Sequence, residues 1–97
     1  MIVNVHKRDQ STIVAVCDEN LMGQCYEEGD KILDLSSSFY AGERMTEQEA
    51  GDFVRNAHAV NLVGEKSVAL GIVEGVIDET KVLHIQGIPY ALGAVDH

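Results

Sequence analysis

Basic residues are scarce in this sequence, which has seven Lys and Arg residues against 16 Asp and Glu residues and a net charge of −9. Proteins bind nucleic acids largely by neutralising phosphates, so a basic patch is the usual sign of such binding. Here the basic residues are scattered, and Lys7-Arg8 is the one adjacent pair. The composition therefore disfavours direct nucleic-acid binding. It suits a basic protein partner, because complementary potentials favour that association.

Long apolar stretches are also lacking. No window approaches the roughly 20 apolar residues that a membrane span requires. The sequence opens with Ile2 and Val3 in a strand pattern, and not with the basic and apolar regions of a signal peptide. These features predict a cytoplasmic protein with no membrane partner.

Cysteine is limited to Cys17 and Cys25, whose spacing is not that of a C-x-x-C motif. Four zinc ligands cannot be assembled from these cysteines and adjacent histidines. Because the histidines are dispersed along the chain, we expect no metal site and no cofactor. The four histidines are His6, His58, His84 and His97.

Catalytic motifs are absent from the sequence: there is no P-loop, G-x-G-x-x-G, H-E-x-x-H or G-x-S-x-G. Cys17 is followed by Asp18, and a neighbouring negative charge raises the pKa of a thiol and makes it a poorer nucleophile. We therefore expect Cys17 to be buried and inert. The absence of a catalytic signature favours a protein that is not an enzyme, and an enzyme is the alternative.

The pattern of apolar residues predicts one globular domain over residues 1–97, of α/β or α+β class. We expect a mixed sheet of about four to five strands, an N-terminal β-hairpin and two helices. Residues 2–7 and 12–17 alternate, and a tight turn at Asp9-Gln10 would pair Val5 with Val14 and Val3 with Val16. That register makes one face uniformly apolar.

The middle of the chain has one clear helix signal. Thr46-Glu47-Gln48-Glu49 has the form of a capping box, and the apolar spacing after it predicts a helix over Glu47–Ala57. Before it, Tyr26–Asp30 reads as an acidic turn. Lys31–Leu35 alternates and predicts a strand, with Ile32 on one side and Leu33 and Leu35 on the other.

A strand, a turn and a second helix follow as the central unit. Ala59–Val63 is a short apolar run that suits a buried strand, and Gly64 allows the turn after it. An apolar stripe of Val68, Ala69, Ile72 and Val73 predicts a helix that ends at Gly75. Gly71 weakens the helix interior, and a close packing contact would explain its presence.

The region after this helix predicts a return strand. Val82–Ile85 is apolar, and the interval from Val63 to Val82 is long enough for a crossover, so we expect a parallel strand–helix–strand unit. Regular pairing should falter at Pro89, because proline has no N–H to donate.

The turn at Gly64 is the candidate site. Free N–H groups at a helix N-terminus bind anions, so Asn61, Gly64 and Ser67 are expected to hold a phosphate or carboxylate, with Glu65 as a candidate general base. The alternative is that Gly64 only makes the turn and Asn61 caps the helix. Further residues that are candidates for lining this site are Asp18, Tyr40 and Tyr90.

Four short stretches together resemble a known family: Cys17-Asp18-Glu19-x-Leu21-x-Gly23, Phe39-Tyr40-x-Gly42-Glu43, Asn61-Leu62-Val63-Gly64-Glu65-x-x-Val68 and Gly87-Ile88-Pro89. In this order they resemble the archaeal domain-of-unknown-function family number 424. The resemblance implies an archaeal source and a small stand-alone protein, and it implies no activity, cofactor or catalytic residue. The family pattern has His-Ala-Gln after the proline, whereas this chain has Tyr90-Ala91-Leu92. An obligatory acid, base or metal ligand after Pro89 is therefore not expected.

Three functions remain as hypotheses. The first is a non-catalytic binding or adaptor protein in a cytoplasmic protein or ribonucleoprotein assembly. The second is a small-molecule binding protein or enzyme that uses the Gly64 turn. The third is direct RNA binding, which would require the scattered basic residues to converge in space; these are Lys7, Arg8, Lys31, Arg44 and Lys66.

Overall fold

The computed structural model describes residues 1–95, so His97 lies outside the described residues. Alternating residues at the N-terminus form the predicted β-hairpin from β1 (Ile2–Arg8) and β2 (Ser11–Cys17). Val5 pairs with Val14 and Val3 pairs with Val16, as predicted. This register places Val3, Val14 and Val16 in one buried cluster.

A six-stranded mixed sheet and two helices make an α+β domain, with slightly more strands than expected. The strand order is β5-β1-β2-β6-β8-β7. Neighbouring strands are antiparallel except for β2 and β6, which run parallel. The remaining strands of this sheet are β5 (Glu43–Arg44), β6 (Ala59–Val63), β7 (Leu83–Ile85) and β8 (Ile88–Ala94).

The expected parallel unit is only partly correct. Strand β7 runs in the same direction as β6, but β8 lies between them and pairs antiparallel with both. The prediction that pairing falters at Pro89 is wrong, because Pro89 is the second residue of β8 and lies opposite His84 of β7. Proline is tolerated there because it lies near the beginning of the strand.

Helix α1 (Glu47–Asn56) confirms the predicted capping box. The Glu49 N–H donates to Thr46 Oγ1 over 3.2 Å, and the Thr46 N–H donates to Glu49 Oε1 over 3.1 Å. Ala50 and Val54 are buried against the sheet.

Helix α2 (Glu65–Val73) lies where the sequence predicts it, and its predicted buried face is partly correct, because Val68 is buried and Ile72 packs against the same cluster. Ala69 is exposed and Val73 is 77% exposed, whereas Leu70 and Gly71 are buried. The cause is that this short helix has apolar residues on most of its sides, so their spacing does not identify the side that is buried.

Glycines shape both the middle and the end of α2. An added Cβ at Gly71 would lie 2.3 Å from Leu62 Cδ1, which confirms the expected close contact. Gly75 has φ of 77° and ends the helix, as predicted. Its N–H donates to the Ile72 carbonyl, and the Val76 N–H donates to the Gly71 carbonyl.

A second hairpin covers the sheet face opposite the helices. It consists of β3 (Cys25–Glu28) and β4 (Lys31–Asp34), so the predicted acidic turn over Tyr26–Asp30 is largely strand. Leu33 and Leu35 are buried and Ile32 is exposed, as predicted. The sheet therefore has a helix face, with α1 and α2, and a hairpin face, with β3, β4 and Tyr40.

Among residues 1–95, no helix has both the length and the apolar character needed to cross a membrane.

Candidate functional site

A cleft of about 830 Å³ lies where the parallel strands β2 and β6 end. Its walls come from segments 18–21 after β2, 64–66 at the start of α2 and 87–89 at the β7–β8 turn, together with Met1 and Arg44. The carboxyl ends of parallel strands are the usual place for ligands in open α/β sheets. The predicted Gly64 turn therefore lies at a cleft in the position where such folds bind ligands.

The side chain of Asp18, a residue of the protein itself, binds the N-terminus of α2. Its Oδ2 accepts the Lys66 N–H over 3.0 Å, and its Oδ1 accepts the Ser67 N–H over 2.8 Å and the Ser67 hydroxyl over 2.7 Å. Asp18 is 7% exposed and Ser67 is fully buried. The positive end of the helix therefore already binds a carboxylate of the protein itself, at the place where an external anion was predicted.

Gly64 is required where it lies, because Asp18 packs directly against it. Its φ is 105°, a value that side-chain-bearing residues rarely adopt, and an added Cβ would lie 2.3 Å from Asp18 Cγ. The Gly64 N–H donates to the Pro89 carbonyl over 2.8 Å. Gly64 thus joins the end of β2 and the beginning of β8 to the start of α2.

Three of the residues expected around the turn lie on the hairpin face instead. The Tyr40 hydroxyl donates to Asn61 Oδ1 over 3.1 Å, and Tyr90 packs against the buried cluster of that face. Asn61 therefore does not cap α2. The strand alternation explains this, since Asn61 points away from the helix face that Val60 and Leu62 enter. Burial raises the pKa of Tyr40, and the nearby Cys17 thiol raises it further.

The remaining predicted residues do meet at the cleft. Asp18, Gly64 and Glu65 line it, and Ser67 lies behind them with its hydroxyl bonded to Asp18. Glu65 is exposed at the start of α2.

Sequence reasoning missed the cationic side of the cleft. Arg44 lines it and forms an ion pair with Glu19, and Lys66 lines it from α2. Arg44 reaches this position because β5 pairs with the first residues of β1, where Arg44 lies opposite Ile2. That pairing joins residues more than 40 positions apart, so no local pattern indicates it.

Cys17 has the environment of an inert thiol. It is fully buried, and its Sγ donates to the Asp18 carbonyl over 3.4 Å. Burial raises the pKa of Cys17 to about 11, and the charge of Asp18 adds to the increase. The thiol is therefore protonated at neutral pH and is a poor nucleophile.

The β3–β4 hairpin presents an acidic surface with one apolar residue. Ile32 is 66% exposed and lies opposite Glu27 across the two strands. Gln86 holds the hairpin to the β7–β8 turn, because its N–H donates to Glu28 Oε1 over 3.0 Å and its Nε2 donates to the Glu27 carbonyl over 2.7 Å. The exposed carboxylates of this surface belong to Glu27, Glu28, Asp30 and Asp34.

The basic residues named for RNA binding lie far apart. Arg44 and Lys66 line the cleft near the first residues of β1. Lys7 and Arg8 are at the other end of that strand, roughly 20 Å away at the usual rise per residue. Lys31 is on the β3–β4 hairpin.

Comparison with known proteins identifies the family. A family model described as "Protein of unknown function (DUF424)" matches residues 5–94, so the chain belongs to this family and the resemblance seen in the sequence is confirmed. The fold is similar to that of an uncharacterized conserved protein from Methanopyrus kandleri. The TM-score is 0.82 at 23% identity, over 99% of this chain and 93% of that chain. No curated protein matches the chain.

Proposed function

We propose that this member of the DUF424 family is a non-catalytic binding or adaptor protein that recognises a basic protein partner. The observation that supports this proposal most directly is the β3–β4 hairpin, where Ile32 is 66% exposed among four carboxylates. A partner with cationic side chains around an apolar recess would match this surface in both charge and shape. Apolar anchors of this kind carry much of the binding energy at protein interfaces, and charge complementarity adds association rate and specificity.

The side chains that could carry chemistry support binding over catalysis. The Asp18 carboxylate accepts three hydrogen bonds from the start of α2, and the Tyr40 hydroxyl is bonded to Asn61. Cys17 is buried with a raised pKa. These side chains therefore hold strands and helices together, and they are poorly placed to act on a substrate.

The cellular setting is part of the same proposal. The neighbour from Methanopyrus kandleri supports an archaeal source. We expect the assembly to be a cytoplasmic protein or ribonucleoprotein complex in which this chain contacts protein and not RNA. The distance between the Lys7-Arg8 end and the Arg44 and Lys66 side chains supports that view, because the cations do not form one patch.

Affinity capture with matched variants tests this function. The native chain, Ile32→Lys and Leu92→Lys are used as baits in extract of the source organism at physiological ionic strength, with and without ribonuclease. Ile32 and Leu92 are 66% and 67% exposed, so the two substitutions change similar surfaces at different places. We expect a basic protein that survives ribonuclease, is lost with Ile32→Lys and is kept with Leu92→Lys. Equal recovery of the partner by both variants would exclude the hairpin as the binding surface. Loss of all partners after ribonuclease treatment would favour direct RNA binding.

A small-molecule site in the cleft is the second candidate function. Arg44 and Lys66 line the cleft and suit a carboxylate or phosphate, while Leu21 and Ile88 suit an apolar body. Glu65 would be the candidate general base if the ligand is turned over.

Ligand-induced thermal stabilisation tests the cleft. A panel of small carboxylates and phosphates is measured with the native chain, with Arg44→Gln and Lys66→Gln, and with Lys81→Gln as a control outside the cleft. Stabilisation that disappears in the first two variants and persists in the control supports the cleft. Stabilisation that is unchanged in all three variants would exclude the cleft as the binding site.

A further inference from the structure

We propose that the helix face carries a second docking surface, a groove between α1 and α2 that binds a basic amphipathic segment of a protein. The groove has a volume of about 500 Å³ and is formed by residues of both helices. It lies on the opposite side of the sheet from the β3–β4 hairpin, so this inference goes beyond the function proposed above and does not depend on it.

The groove carries an excess of negative charge. Glu47, Asp52 and Glu74 supply three carboxylates and Arg55 supplies one guanidinium, which leaves a net charge of −2. Arg55 donates to Glu74 Oε1 over 2.7 Å and also bonds Asp52, so it fixes two of the carboxylates in position. A partner cation would meet carboxylates that are already ordered, which lowers the entropy cost of binding.

The C-terminal end of α2 adds to this potential. Val73 is the last residue of the helix and Glu74 is its C-cap. The carbonyl groups at a helix C-terminus attract cations. Gly51 of α1 lies against the Glu74 side chain, and an added Cβ there would lie 3.0 Å from Glu74 Oε2.

An apolar position completes the surface. Val73 is 77% exposed beside the groove, and Leu70, which is 3% exposed, forms part of its floor. Exposed apolar side chains with a charged rim are typical of interaction sites. The occupant that fits is therefore a segment with Lys or Arg residues on either side of an apolar side chain.

A peptide titration followed by NMR tests the groove. The full chain, labelled with ¹⁵N, is titrated at physiological ionic strength with an amphipathic peptide built from leucine and lysine. A matched peptide has glutamate in place of every lysine. We expect shift changes confined to residues 47–56 and 69–76 with the lysine peptide. Changes centred on residues 25–34, equal binding of both peptides, or no change with either peptide would overturn the proposal.

Surface variants make the same test sharper. Val73→Lys should weaken binding of the lysine peptide by about tenfold or more, the loss typical of a central interface residue. Leu92→Lys, also at an exposed apolar residue, should change it by less than about twofold, since Leu92 lies opposite Asn61 and so on the hairpin face. Dispersed spectra confirm that both variants are folded. Equal affinities of Val73→Lys and the native chain would remove Val73 from the site and overturn the inference.

Discussion

One carboxylate oxygen of Asp18 accepts two hydrogen bonds from Ser67, one from its backbone N–H and one from its hydroxyl. The two residues are 49 positions apart, and both are buried. The contact ties the end of β2 to the first turn of α2. A side chain from the segment that follows a distant strand therefore caps this helix, where a residue just before the helix would be the usual cap.

Replacing Asp18 should destabilise the protein. Asp18→Ala removes three hydrogen bonds to a charged acceptor and leaves the buried Ser67 hydroxyl without its partner. We expect a loss of about 2–4 kcal/mol in the free energy of unfolding. Urea denaturation measures it. Glu19→Ala is the control, because its exposed ion pair with Arg44 should contribute less than about 1 kcal/mol. A loss no larger than that of the control would contradict the capping role.

Gly71→Ala should also destabilise the fold, although alanine favours a helix. The gain in helix propensity is about 1 kcal/mol. The added Cβ would lie 2.3 Å from Leu62 Cδ1 and 2.8 Å from Ile77 Cγ1, and overpacking costs about 1–3 kcal/mol. Thermal unfolding should show a lower midpoint. The same substitution in a Leu62→Val background should cost less, since the nearest methyl group is gone; an equal cost in both backgrounds would argue against the contact.

The two cysteines should react at very different rates. Cys25 is exposed and Cys17 is buried. With a thiol-specific reagent near pH 8, we expect one fast reaction from Cys25 and a second that proceeds at the rate of unfolding. Cys25→Ser should remove the fast phase alone. Two fast phases would show that the Cys17 environment is open to solvent.

The buried thiol should also make the protein less stable in alkali. The pKa of Cys17 rises from 9.0 to about 11 in the folded state. Between about pH 9 and pH 11 the unfolded chain loses this proton while the folded chain keeps it. The free energy of unfolding is therefore unaffected by this thiol below pH 9 and decreases as the pH rises from 9 to about 11. The expected loss is about 2–3 kcal/mol. Urea denaturation from pH 8 to 11 measures it, and Cys17→Ala should lack this part of the decline.

Gln86 should control the mobility of the β3–β4 hairpin. Gln86→Asn shortens the side chain that reaches the Glu27 carbonyl, and asparagine tolerates the positive φ of 51° at this position. We expect faster hydrogen exchange over residues 25–34 and a change in unfolding free energy below about 1 kcal/mol. Gln48→Asn on the exposed side of α1 is the control. Unchanged exchange in the hairpin would show that its packing alone holds it.

Local signals predicted the parts of the fold that depend on neighbours in sequence. The alternation around Val5 and Val14 set the hairpin register, and the Thr46–Glu49 box placed the start of α1. Strand β8 was missed because Gly87 and Pro89 resemble breakers. It is part of the sheet because β6 and β7 supply partners on both of its sides.

The candidate site was partly predictable for the same reason. Gly64 marked the turn, and Asp18, one of the residues predicted to line the site, packs against it. Asn61 was assigned to the turn because it is close in sequence, but strand alternation directs it to the hairpin face. Arg44 carried no signal, since its position depends on pairing with the beginning of the chain.

The place of β8 between β6 and β7 also determines when the domain can form during synthesis. Strand β7 leaves the ribosome before the strand that it pairs with, and β6 presents one open edge over Ala59–Val63 until β8 follows. We therefore expect the nascent chain to complete its sheet only after residue 94 has left the exit tunnel. Until then the apolar edge of β6 is a site where chaperones would bind or chains would aggregate.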